Sequence, residues 1–154
     1  STNSFLKSTL LLKRVWDLGS QTAFELSSQD GAIATPSLTE LAAPLRFYAG
    51  GVGTVRGYAY LSLSPINSED TLIGGKYLVT GSATFKRHLY HSFSGLIFYD
   101  IGDVTNSLGQ LDLLQGAGVG LSFKTAVGPI QFYISHPVQT PGNWQFDLSV
   151  GEAL

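Results

Sequence analysis

Apolar residues in this chain recur at every second position, and the three- and four-residue spacing of an amphipathic helix is scarce. Near the end of the chain, Trp144, Phe146, Leu148 and Val150 alternate with Gln145, Asp147, Ser149 and Gly151. Upstream, Ile130, Phe132 and Ile134 alternate with Gln131, Tyr133 and Ser135, and Ala117, Val119, Leu121 and Phe123 with Gly118, Gly120, Ser122 and Lys124. The same reading holds earlier. Tyr77, Val79, Ala83 and Phe85 oppose Lys76, Thr80, Ser82, Thr84 and Lys86, while Ile97, Tyr99 and Ile101 oppose a face ending in Asp100. Leu6, Leu10 and Leu12 oppose Lys7, Thr9 and Lys13, and Phe24 and Leu26 oppose Gln21, Ala23, Glu25 and Ser27. Successive side chains of a strand point to opposite faces. The pattern therefore predicts an all-β, antiparallel fold of seven strands, each with one apolar face and one small or polar face.

These strands are about 8–12 residues long, above the usual five or six and matched to the ~9–11 residues that cross a bilayer. Their connections alternate in length. Those at about 16–19, 88–92 and 125–129 are short, whereas those at about 29–74, 104–112 and 137–143 are long. Short turns at one end and long loops at the other mark an outer-membrane barrel. Trp16, Tyr90, Phe93 and Trp144 lie near strand ends, where aromatic girdles meet the lipid–water boundary. A soluble sandwich or ligand-binding barrel also alternates, with its polar face outward. Composition favours the membrane reading: 13% of residues are charged, about half the roughly 25% of a soluble domain. That is too few to coat a wet outer face.

Other classes fall away on the same evidence. No apolar run reaches the length of a transmembrane helix, and aromatic and β-branched residues are too plentiful for disorder. The chain has no Cys, which excludes disulfides and thiolate metal sites. A pI of 5.8 and a net charge of −2 provide no basic face for nucleic acid. No G-x-S-x-G elbow is present, and His88, His91 and His136 lack a metal-ligand spacing. Gly116, Gly118 and Gly120 sit within a strand pattern with no helix after it, so they are not a dinucleotide loop. Asp100 and Asp103 fall on opposite faces of one strand and cannot pair as acid and base. No catalytic residues, metal or cofactor are expected. The start, Ser1-Thr2-Asn3-Ser4, has neither an initiator Met nor a signal-peptide pattern, as expected of a processed protein or an excised piece.

Four segments add a family resemblance. Leu45-Arg46-Phe47-Tyr48-Ala49-Gly50-Gly51-Val52-Gly53-Thr54-Val55-Arg56-Gly57-Tyr58 resembles the "RFFAGG…VRGY" loop of bacterial outer-membrane assembly factors. Ile73-Gly74-Gly75-Lys76-Tyr77-Leu78 is similar to the start of the strand that follows that loop. Phe98-Tyr99-Asp100-Ile101-Gly102 resembles the family's "F-x-D-x-G" strand, and Gly116–Gly120 through Val127-Gly128-Pro129-Ile130 its "GxGxG…SPVGPI" hairpin. Order and spacing agree over about residues 4–154. The superfamily includes BamA, TamA and the two-partner secretion transporters. The ending Leu148-Ser149-Val150-Gly151-Glu152-Ala153-Leu154 looks most like TamA.

The resemblance implies the C-terminal portion of a sixteen-stranded barrel of the bacterial outer membrane, preceded by POTRA domains. Seven strands alone leave two unpaired edges, which are costly in hydrocarbon, so the remaining strands or a second copy of the chain would be needed for closure. Counting residues 54–63 as an eighth strand provides the smallest closed barrel instead. The resemblance further implies that the long loop, at about residues 30–74, folds into the lumen. The motif is Val55, Arg56, Gly57 and Tyr58. Gly50, Gly51 and Gly53 let the backbone turn tightly. Arg56 would latch onto Asp100, beside Gly102, with Thr84 standing where relatives carry an inward Glu. The last strand, about 143–152, with Trp144, Phe146, Leu148, Val150 and Gly151, would be one lip of a lateral seam; Gly142 and Gly151 weaken pairing at its ends.

The function implied is assembly or translocation of outer-membrane or autotransporter polypeptides, with outer-membrane lipid and a periplasm-spanning protein of the TamB type as partners. A polypeptide-secreting pore of the same superfamily is the alternative within the family, and a soluble ligand-binding barrel the alternative outside it.

Overall fold

The structure is a computed structural model that describes residues 4–139 and 141–151. Seven strands form one antiparallel sheet in sequence order: β1 (Leu6–Asp17), β2 (Thr22–Ala34), β3 (Tyr77–Tyr90), β4 (Phe93–Thr105), β5 (Leu114–Thr125), β6 (Gly128–Pro137) and β7 (Gln145–Val150). Every strand pairs only with its sequence neighbours, so β1 and β7 are the two edges and the sheet is not closed on itself. All seven strands expected from period two are present, most of them longer than the alternation alone suggested. Ladder hydrogen bonds continue past the last apolar residue of the pattern, as β2 does through Gln29-Asp30-Gly31 to Ala34.

Three boundaries differ from the sequence reading. Residues 30–34 belong to β2, so the long connection is 35–76. Residues 54–63 are not an eighth strand: they run through turns, with Leu61 in the left-handed region and a single bridge from Leu63 to Ala49. Gly53 and Gly57 at positive φ break the extension that a ladder needs. Trp144 lies just before β7, which spans six residues, the fewest of any strand. The far end of the expected 143–152 strand and the Glu152-Ala153-Leu154 ending lie outside the described residues.

The two faces of the sheet differ in kind. On the outer face large apolar side chains stand open, among them Leu6 at 71%, Ile97 at 56% and Phe146 at 67% exposure. A water-soluble protein would not leave so continuous an apolar wall uncovered. On the inner face the burial is supplied by the 35–76 loop. One cluster joins Leu41, Phe47 and Ala49 of the loop to Ile33, Leu78 and Val104 of the wall. A second joins Val52 to Leu96, Phe98 and Tyr133. The hydrophobic core thus lies between the wall and a loop, not between two layers of regular structure.

Candidate functional site: the docked loop and the edge strand

The loop is closed at its base by Arg46. Its Nε and Nη2 donate to the Leu41 carbonyl, Nη2 also to that of Thr39, and Nη1 to that of Ile73 at 2.7 Å. One planar fork of donors thereby ties both arms of the loop together. Lys7 of β1 adds a bond to the Leu45 carbonyl. Bridges Phe47–Gly75 and Ala49–Leu63 continue inward from this base.

The tip of the loop turns through Gly50, Gly51, Gly53 and Gly57, all at positive φ between 84° and 112°. At Gly57 the requirement is twofold, because a β-carbon there would also stand 2.9 Å from the His136 carbonyl oxygen. The wall yields in kind: a β-carbon on Gly116 of β5 would overlap the Arg56 carbonyl. Gly102 of β4 leaves the space that Val55, fully buried, occupies. Tyr58 donates its hydroxyl to the Gln115 carbonyl at 3.2 Å. The loop backbone and the barrel wall are thus in direct contact.

Arg56 sits at the centre of that contact, 8% exposed, with Asp100 at 1%. Nε donates to Asp100 Oδ2 at 2.7 Å and Nη2 to Oδ1 at 2.8 Å, a two-pronged pairing. The Arg56 backbone N–H donates to Oδ2 as well, at 3.0 Å. Ser82 Oγ donates to Asp100 Oδ1 at 2.6 Å and accepts from Arg56 Nη2 at 3.0 Å. Thr84 Oγ1 accepts from the same nitrogen at 3.3 Å. The guanidinium carbon lies 3.6 Å from the Phe98 ring centre and 5.0 Å from that of Tyr133, and these two rings meet edge to face. The strand register explains the assembly: Ser82 pairs with Asp100 and Thr84 with Phe98, so all four share the inner face. A buried charge is tolerated only when paired and hydrogen-bonded, and both conditions hold here.

The sequence reading did not single out Ser82, Phe98 or Tyr133 as site residues, nor Arg46. Parity was the available signal for the first three: Ser82 is two residues from Thr84, and Phe98 two from Asp100, so each shares its neighbour's face. Tyr133 could be placed on the inner face but not opposite Phe98, since that contact crosses β5.

The expected seam residues lie at the other side of the sheet. Phe146, Leu148 and Val150 of β7 project outward, each more than 60% exposed, while Gln145, Asp147 and Ser149 face inward. Trp144, before the strand, lies against His136 with ring centres 5.1 Å apart. Gly151, at φ +87°, leaves the strand through a bond from its N–H to the Pro129 carbonyl. None of these seam residues touches the Arg56 cluster through a hydrogen bond or ion pair among the described residues.

The fold has a known counterpart. The chain is similar in structure to BamA from Haemophilus ducreyi lacking POTRA domains 1–3, with a TM-score of 0.76 over 94% of this chain at 18% identity. At that identity the likeness is one of fold. The chain spans 34% of the length of that BamA chain. The Omp85 superfamily domain matches residues 1–153. The chain belongs to the Omp85 superfamily, whose members are non-enzymatic assembly and transport proteins of the bacterial outer membrane.

Proposed function

We propose that this chain is the C-terminal part of a larger, sixteen-stranded barrel that inserts or exports β-barrel or autotransporter polypeptides through a lateral seam. The observation that carries the reading is the contrast between a loop locked onto the wall by Arg56 and Asp100 and a sheet edge three strands away, β7, which has six residues, the fewest among the described strands. Unpaired backbone groups at the edge of a sheet in hydrocarbon are costly, so such an edge demands a partner strand. An incoming polypeptide can serve as that partner by adding a strand, gaining main-chain hydrogen bonds before it leaves into lipid. The latched loop keeps the neighbouring wall rigid and the lumen occupied while the edge exchanges partners.

Placement in the TamA branch, with a TamB-type partner, rests on the resemblance of the Leu148–Leu154 ending alone. The mechanism is tested in the full-length protein by a disulfide between Ser149→Cys on β7 and a cysteine on the first barrel strand. These 154 residues contain no native Cys to interfere. Substrate insertion is expected to stop when the bond forms and to recover on reduction. Undiminished insertion with the seam locked would overturn the lateral route and favour passage through the lumen, as in a secretion pore.

A further inference from the structure

The outer face of β1–β4 carries a groove of about 670 Å³, within the ~300–1,000 Å³ typical of small-molecule sites. Its floor is made where small outward residues meet: Ser28 of β2, and Gly81 and Ala83 of β3. Leu12, Leu26 and Ile101 form its apolar walls. The register places these on one face, since Leu12 pairs with Ser28, Ser28 with Gly81, and Gly81 with Ile101. Arg14 and Trp16 line one end, with the guanidinium 5.0 Å from the Trp16 ring centre.

Charge on this face is segregated. Strand parity turns Arg14 and Arg87 outward in the half nearest the short turns, while Asp30 and Asp103 face outward in the half nearest the long loops. In bacterial outer-membrane barrels the short turns are periplasmic. Arg14 therefore lies on the periplasmic side, about 10 Å along β1 from its end, one outward residue deeper than the aromatic belt. Among the described residues it makes no ion pair. A cation against hydrocarbon requires an anionic or aqueous partner, which a long side chain finds by reaching toward the headgroups.

We infer that this groove binds one glycerophospholipid of the periplasmic leaflet, with an acyl chain along the Ser28–Gly81–Ala83 floor and the phosphate at Arg14. The apolar trough takes the chain and Arg14, the outward-facing cation at its periplasmic end, takes the headgroup, while neighbouring Lys13 is paired with Glu25. This site is separate from the lumen loop and does not depend on the seam mechanism.

The test is native mass spectrometry of the full-length protein, released from detergent containing palmitoyl-oleoyl phosphatidylglycerol or the diacylglycerol with the same chains. Wild type is expected to retain one phosphatidylglycerol and no diacylglycerol. Ala83→Leu, which fills the floor from the lipid side, and Arg14→Gln, which removes the cation, are each expected to lower retention about tenfold, a loss of ~1.4 kcal/mol. Val119→Leu, on the same outer face but outside the groove, serves as the control and should retain the lipid as wild type does. Wild-type retention by Ala83→Leu or Arg14→Gln, equal retention of diacylglycerol, or an equal loss in Val119→Leu would each overturn the assignment. Heat-modifiable gel mobility verifies that each variant is folded.

Discussion

Two inward-facing aspartates mark two differently built regions of one sheet. Asp100, in the middle of the wall, receives four donors: Arg56 N, Nε and Nη2, and Ser82 Oγ. Asp147, on the edge strand, has a buried Oδ2 with no donor among the described residues. Around Asp100 the strands are 14 and 13 residues long and the loop packs over them. Around Asp147 the strand has six residues and, among the described residues, a single neighbour. The difference teaches where this molecule is rigid. The middle of the wall is stabilised from three directions, by two flanking strands and the loop, whereas among the described residues β7 is held by one ladder.

Variants can break this contrast or sharpen it. The largest effect is expected from Arg56→Ala, which leaves the Asp100 carboxylate buried without its cation. Removal of one partner of such a pair costs about 3–5 kcal/mol. The 35–76 loop should become accessible to protease while the strands stay protected, and substrate insertion by the full-length protein should fall. Unchanged loop protection together with unchanged insertion would remove the latch from the account.

A smaller loss is expected at the edge from Leu148→Arg, which sets a cation against lipid at about 2–4 kcal/mol if it reaches the midplane. Here denaturant unfolding in lipid vesicles should show β7 released with the loop still protected, the reverse of the first variant. Loss of loop protection in this variant would mean that the two regions are coupled. Gly116→Val should cost about 1–3 kcal/mol by overpacking, and it acts on the loop from the wall side. Hydrogen exchange at residues 55–58 is the measurement, with faster exchange the expected result. The smallest change belongs to Thr84→Val, which removes one long hydrogen bond to Arg56 and should cost about 0.5–1.5 kcal/mol. A loss as large as that of Arg56→Ala would show that Thr84, not Asp100, anchors the guanidinium.

Much of the architecture is legible along the chain because strand parity is a local property. Each apolar residue two places from another declares the face on which both lie, whatever else the chain does. That is why Phe146, Leu148 and Val150 could be assigned outward from sequence, and why Asp100 could be set apart from Asp103. Boundaries were less legible: β2 runs on through Gln29, Asp30 and Gly31, where polarity suggests a loop but cross-strand bonds to β1 and β3 continue. The 54–63 segment failed in the opposite sense. Val55, Tyr58 and Tyr60 imitate alternation, yet the backbone turns at Gly57 and Leu61.

Period two, a low charge count and turns of unequal length were sufficient to determine an antiparallel wall with one face for lipid. Each is read from neighbours within a few positions. The fit of the loop to that wall was decided only in three dimensions. Ser82, Phe98 and Tyr133 come from three strands and surround one guanidinium contributed by a loop, while Gly116 of a fourth makes room for the same residue's carbonyl. The groove beside Arg14 has the same origin, since small residues on β2 and β3 form a floor only when the register sets them side by side. Sequence spacing carries the face of a residue, and register across strands carries its neighbours.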